Sequence, residues 1–144
     1  MVYVLILLGL AVVIAPLFSV MPSKSQRAKA ALRDEARRRL FRVSLRPLPA
    51  APPRFRLQSD AELACYERRL SRSLFVLEKA MSYVFVDGVW WPTVGKGDAA
   101  EWLAGLPEGA VYVERGEQAV SIFWDEKAGS EGLMMILQAI ENID

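Results

Sequence analysis

Tyr83-Val84-Phe85-Val86-Asp87-Gly88-Val89-Trp90-Trp91-Pro92 carries the most decisive local signal in the chain. Two apolar runs flank an Asp-Gly pair, and Asp-Gly in that position favours the two-residue turn whose positive φ angles match the twist of paired strands. The stretch predicts a β-hairpin, residues 83–86 against 89–91, closed by Pro92, which cannot donate to a ladder. An isolated hairpin is marginal in water, so further strands have to join it.

The flanking sequence supplies them. Residues 111–114 and 118–124 alternate around Gly116 and predict a second hairpin with Val111, Val113, Val120, Ile122 and Trp124 on similar faces. Phe41-Arg42-Val43-Ser44-Leu45-Arg46 alternates strictly, which predicts a strand with Phe41, Val43 and Leu45 toward the core. Residues 59–81 fit two readings. Ser59 followed by Glu62 has the form of a helix start, whereas Leu63, Cys65 and Leu70 serve a strand ending near Arg69. The strand is favoured for 62–69, and 74–81 fits a short helix or a further strand.

Two helices are expected to cover this sheet. Asp98 with Glu101 resembles a cap, Ala99, Trp102, Leu103 and Leu106 supply an apolar face, and Pro107 with Gly109 ends it. At the C-terminal end Leu133, Ile136, Leu137, Ile140 and Ile143 follow a 3.6-residue period, with Gln138, Glu141 and Asn142 turned away. The expected class is α+β, a small antiparallel sheet with two covering helices.

Upstream of the sheet the chain changes character. From Val2 to Val20 there are 19 residues without charge, about 28 Å as a helix, close to the roughly 30 Å of bilayer hydrocarbon. No Lys or Arg precedes this run and Phe18-Ser19-Val20-Met21-Pro22 offers no small-residue cleavage pattern, so a transmembrane anchor is expected rather than a signal peptide. Pro22 closes it, and Ser23 with Gln26 forms a capping box that opens a basic helix. In that helix Ala28, Leu32, Ala36 and Leu40 make a stripe too thin to drive burial, so it reads as a stalk. The expected organisation is an anchor at 1–22, a basic juxtamembrane helix at 23–40 and a domain at 41–144. Pro47, Pro49, Pro52 and Pro53 make 47–58 an extended connection or a loop lying on the domain.

Charge is divided the same way. The formal net charge of +1 is the balance of residues 1–58, with eleven cations against two carboxylates, and residues 59–144, with seven against fifteen. Lys24, Arg27, Lys29, Arg33, Arg37, Arg38 and Arg39 all follow the apolar run, so the positive-inside rule directs the C-terminal side to the cytoplasm and the N-terminus outside. The same seven residues are the expected contacts to anionic lipid headgroups. Nucleic acid is not the expected partner, because no aromatic residue interleaves the collar before Phe41 for base stacking.

The order of an apolar span, Pro22 and then a Lys/Arg-rich helix resembles the YajC accessory subunit of the bacterial preprotein translocase, and single-pass proteobacterial membrane proteins of the same arrangement. The resemblance covers residues 1–45 and implies an accessory protein of the bacterial inner membrane. Beyond Leu45 nothing corresponds to the glycine-rich β segment of that family.

Chemistry is sparse. Histidine is absent and Cys65 stands alone, which removes the usual acid/base, zinc and intrachain disulfide constellations. Cys65 sits among apolar neighbours and reads as a buried structural thiol. Gly95-Lys96-Gly97 lacks the rest of a phosphate-loop pattern and reads as a connection. Asp125 and Glu126 read as a solvated strand end, and of Met134-Met135 one member is expected on the core face. No catalytic, cofactor or metal residues are assigned; an enzyme reading would need a pocket lined by Asp87, Asp98 or Tyr83. Trp90 and Trp91 point to opposite faces of their strand. One belongs to the core, and the other lies under the proline-rich loop or serves as an anchor for a protein partner. The expected function is that of a non-enzymatic scaffold which docks such a partner through Trp90 and Trp91.

Overall fold

The computed structural model describes residues 1–57, 60, 62–71 and 80–144. Three α-helices, α1 (Val2–Ser19), α2 (Lys24–Arg38) and α3 (Gly129–Glu141), accompany six strands among the described residues. These are β1 (Phe41–Pro47), β2 (Glu62–Arg69), β3 (Met81–Val86), β4 (Val89–Pro92), β5 (Ala110–Arg115) and β6 (Ala119–Trp124). They form one antiparallel sheet in the order β1-β2-β6-β5-β3-β4, and the fold is α+β as the patterning predicts. The β3–β4 turn has Asp87 at φ 52° and Gly88 at φ 78°, the positive pair that Asp-Gly is suited to supply. The strand reading of 62–69 holds. Ser59 and most of the ambiguous segment 74–81 lie outside the described residues, and Met81 opens β3.

Alternation sends side chains to two faces of the sheet, and each face has its own cover. On one face Tyr66, Tyr83, Val113, Val120, Ile122 and Trp124 pack with Leu32 and Ala36 of α2, Leu103, and Leu133, Ile136 and Ile140 of α3. Trp124 sets the α3 approach: a Cβ on Gly132 would lie 2.6 Å from its ring, so only glycine permits the contact. On the other face Cys65, Val84, Tyr112 and Phe123 meet Leu48, Phe55 and Leu57, so the proline-rich connection lies on the domain. Arg54 fastens it at the far side, its Nη2 donating to the carbonyls of Pro92 (3.0 Å) and Thr93 (3.2 Å).

Several local expectations are corrected. Residues 101–105 form a short 3₁₀ helix with no side-chain cap instead of a capped α-helix; its Leu103, with Leu106, still packs on the sheet, and α2 joins α3 as a further cover on that face. Val111 leaves the face of Val113, because a bulge between Ala110 and Tyr112 inserts one residue and it packs with the second cluster. Leu45 is 52% exposed, being on an edge strand. Leu40 does not extend the helical stripe: at φ 67° it is the left-handed residue just past the end of α2, a position glycine usually fills. Met134 and Met135 are both exposed, since neither falls on the α3 stripe that Leu133, Ile136, Leu137 and Ile140 define.

The N-terminal segment forms the predicted pair of helices. α1 has 18 residues with a mean hydropathy of 2.6 and none of them buried, long and apolar enough to cross a membrane. Ser23 and Gln26 complete the capping box, the Gln26 N–H donating to Ser23 Oγ (3.2 Å) and the Ser23 N–H to Gln26 Oε1 (3.0 Å). Such a cap is worth about 1 kcal/mol and fixes where the second helix begins.

Candidate functional site

Two places in the fold hold the side chains that the sequence singled out. The first is the collar helix. Leu32 and Ala36 are buried, so α2 is packed on the sheet and is not a free stalk. A buried polar cluster locks it there. Arg33 donates from Nε to Glu126 Oε1 (2.8 Å) and from Nη2 to Glu126 Oε2 (2.7 Å), while the Tyr66 hydroxyl donates to Glu126 Oε1 (2.9 Å). Glu126 is therefore not a solvated strand end; its side chain is 2% exposed and its backbone sits at φ 63°. Only the bidentate pairing makes a carboxylate tolerable at that depth. The hydrogen bond from Arg33 to Glu126 raises the guanidinium pKa, against the opposing effect of burial, and burial together with Glu126 pushes the Tyr66 phenol far up.

Of the seven cations assigned to lipid headgroups, Arg33 is thus turned into the domain. Arg37 pairs with Asp34, and Arg38 and Arg39 with Glu35, all within the helix. Such exposed pairs are weak and leave these charges largely hydrated. Lys24, Arg27 and Lys29 precede the docked half of α2 and form no ion pair among the described residues.

The second place is the end of the sheet at β4. Trp90 lies on the helix-covered face, half-buried, its ring 5.1 Å from that of Phe85. Trp91 lies on the other face opposite Val84 and is 48% exposed. The proline-rich connection reaches Trp91 without covering it. Between them is a shallow hollow of about 460 Å³, with Phe55, Val86 and Trp91 supplying apolar surface and Arg54, Asp87 and Lys96 the charge. Gly95 and Gly97 complete it, so the Gly-Lys-Gly connection does contribute to a concave surface. Of the residues named for an enzymatic pocket, Asp87 lines this hollow, Tyr83 is buried on the opposite face, and Asp98 is exposed elsewhere.

Cys65 is fully buried at the centre of the second face, where desolvation raises its thiol pKa. That burial agrees with a structural thiol. The Arg33–Glu126 pair was beyond sequence reasoning, since its members are 93 residues apart. The one available signal was that Arg33 adjoins Leu32, on the edge of the apolar stripe.

No protein-family model, curated protein or solved structure matches the chain.

Proposed function

We propose that the chain is a single-pass accessory or scaffold protein without catalysis of its own. In this reading α1 anchors it in the bacterial inner membrane, N-terminus outside, and the α+β domain docks a protein partner in the cytoplasm. Trp91 is the observation that carries docking. A tryptophan 48% exposed beside a hollow to which Phe55 and Val86 add apolar surface, where the proline-rich cover stops short, has the composition of a binding hot spot. Trp90 contributes to the fold through Phe85, so the contact is assigned to Trp91. Lys24, Arg27 and Lys29, which form no ion pair among the described residues, follow the apolar helix and support the orientation, and each such cation adds on the order of 1 kcal/mol of attraction to an anionic leaflet.

The test is crosslinking of the full-length chain in its native membrane at native abundance, beside Trp91→Ala. The expected result is a stoichiometric protein adduct with the wild type that disappears in Trp91→Ala while the unfolding midpoint is unchanged. An adduct that persists in Trp91→Ala removes the contact, and capture of lipid alone replaces protein docking with headgroup binding through the collar.

A further inference from the structure

The two edges of the sheet are treated differently. β4 is four residues long and ends in Pro92, whose carbonyl accepts from Arg54, so that edge is short and partly closed. β1 is seven residues long and pairs only with β2, from Phe41↔Arg68 to Pro47↔Glu62. Among the described residues no backbone hydrogen bond is made on its outer side. We infer that this open edge is an acceptor for an extended acidic segment of a partner protein, which pairs alongside β1 as an added strand.

Charge chooses the occupant. Arg42, Ser44 and Arg46 project to the proline-rich face, where Arg42 stands opposite Glu67 and Arg46 Nη2 lies 3.5 Å from the same carboxylate. Two guanidiniums thus flank one carboxylate, which is paired with Arg46, and leave a net positive edge. In full-length antiparallel pairing of two copies about Ser44, Arg42 of each would oppose Arg46 of the other, and like charges directly opposite are destabilising. A second copy is disfavoured, while a strand with carboxylates four residues apart meets both arginines. Val43 and Leu45 face the other way, and the exposed Leu45 leaves apolar surface for the residues between those carboxylates to cover. The recognised pattern is acidic-apolar-polar-apolar-acidic in extended form, recognised by strand addition. This contact lies at the opposite edge from Trp91 and does not rest on that reading.

The experiment uses the full-length chain in detergent micelles and two labelled nine-residue peptides, one centred on Glu-Val-Thr-Val-Glu and the other on Lys-Val-Thr-Val-Lys. Fluorescence anisotropy is expected to give about tenfold tighter binding of the acidic peptide, from two cross-strand pairs changing sign. Arg42→Glu with Arg46→Glu is expected to invert that preference, Trp91→Ala to leave it unchanged, and amide exchange to slow at 41–46. Should the charge reversal unfold the domain, Arg42→Gln with Arg46→Gln is expected to abolish the preference. Equal affinity for both peptides, binding of neither, or acidic binding that survives these substitutions would overturn the inference.

Discussion

Replacing Glu126 with alanine deletes three hydrogen bonds at once, two from Arg33 and one from Tyr66. Removing one partner of a buried ion pair costs about 3–5 kcal/mol because the other charge is left uncompensated. The Arg33 side chain is 24% exposed, so water recovers part of its hydration and the lower end applies. The fully buried Tyr66 hydroxyl loses its acceptor, for about 1 kcal/mol or more. Alanine also keeps the left-handed backbone without the contacts that hold it there. A loss of about 4 kcal/mol is a large share of the roughly 5–15 kcal/mol that holds a domain folded. It lowers the midpoint of thermal unfolding by on the order of 10 °C at this size. Tryptophan fluorescence is a suitable probe, because Trp124 sits edge-on to Tyr66 with centroids 5.3 Å apart. Glu126→Gln, which keeps an oxygen acceptor for Tyr66, is expected to lose roughly half as much. A Glu126→Ala midpoint within about 2 °C of the wild type would refute the claim that this cluster holds α2 to the sheet.

Gly132→Ala sets helix propensity against packing. Alanine would ordinarily stabilise a helix interior by about 1 kcal/mol, but its Cβ would lie 2.6 Å from Trp124 and 2.7 Å from Ala128 Cβ. Overpacking prevails, and denaturant titration is expected to show a net loss of about 1–2 kcal/mol; a gain would mean that α3 shifts freely. Stability is also expected to fall with alkaline pH. The raised thiol of Cys65 stays protonated in the fold above its ordinary value of 9.0, while the unfolded chain releases that proton, so stability is full below pH 9.0 and declines as pH rises. Tyr66 adds the same sign above 10.0. Unfolding midpoints measured from pH 7 to 11 are expected to show Cys65→Ala removing the decline below pH 10, and an identical decline in that variant would assign it elsewhere.

The hairpins, the strand at 41–47 and α3 were legible because each declares itself within a dozen residues, through Asp-Gly, alternation or a 3.6-residue period. The capping box at Ser23 and Gln26 was legible for the same reason. What escaped depends on partners distant in sequence. Leu32 and Ala36 make a thin stripe on a charged helix, and nothing local reveals that Glu126 reaches across to Arg33 and makes that stripe a docking face. The Val111 error came from a bulge, where one inserted residue reverses a face that alternation had assigned. At the candidate site, adjacency showed that Trp90 and Trp91 diverge, but which one is exposed depended on where the proline-rich connection crosses the sheet.

The join between α1 and α2 is only Val20 to Ser23, which even when fully extended reaches about 14 Å. Because α2 is clamped to the sheet, no slack remains beyond that join. If α1 is seated in a bilayer as proposed, the domain patrols a thin layer at the membrane surface instead of the depth of the compartment. Encounters with another protein of the same membrane then take place in two dimensions, where tethering raises the effective concentration. A contact as small as the hollow at Trp91 can be productive there at an affinity too weak to detect between the same two proteins free in solution.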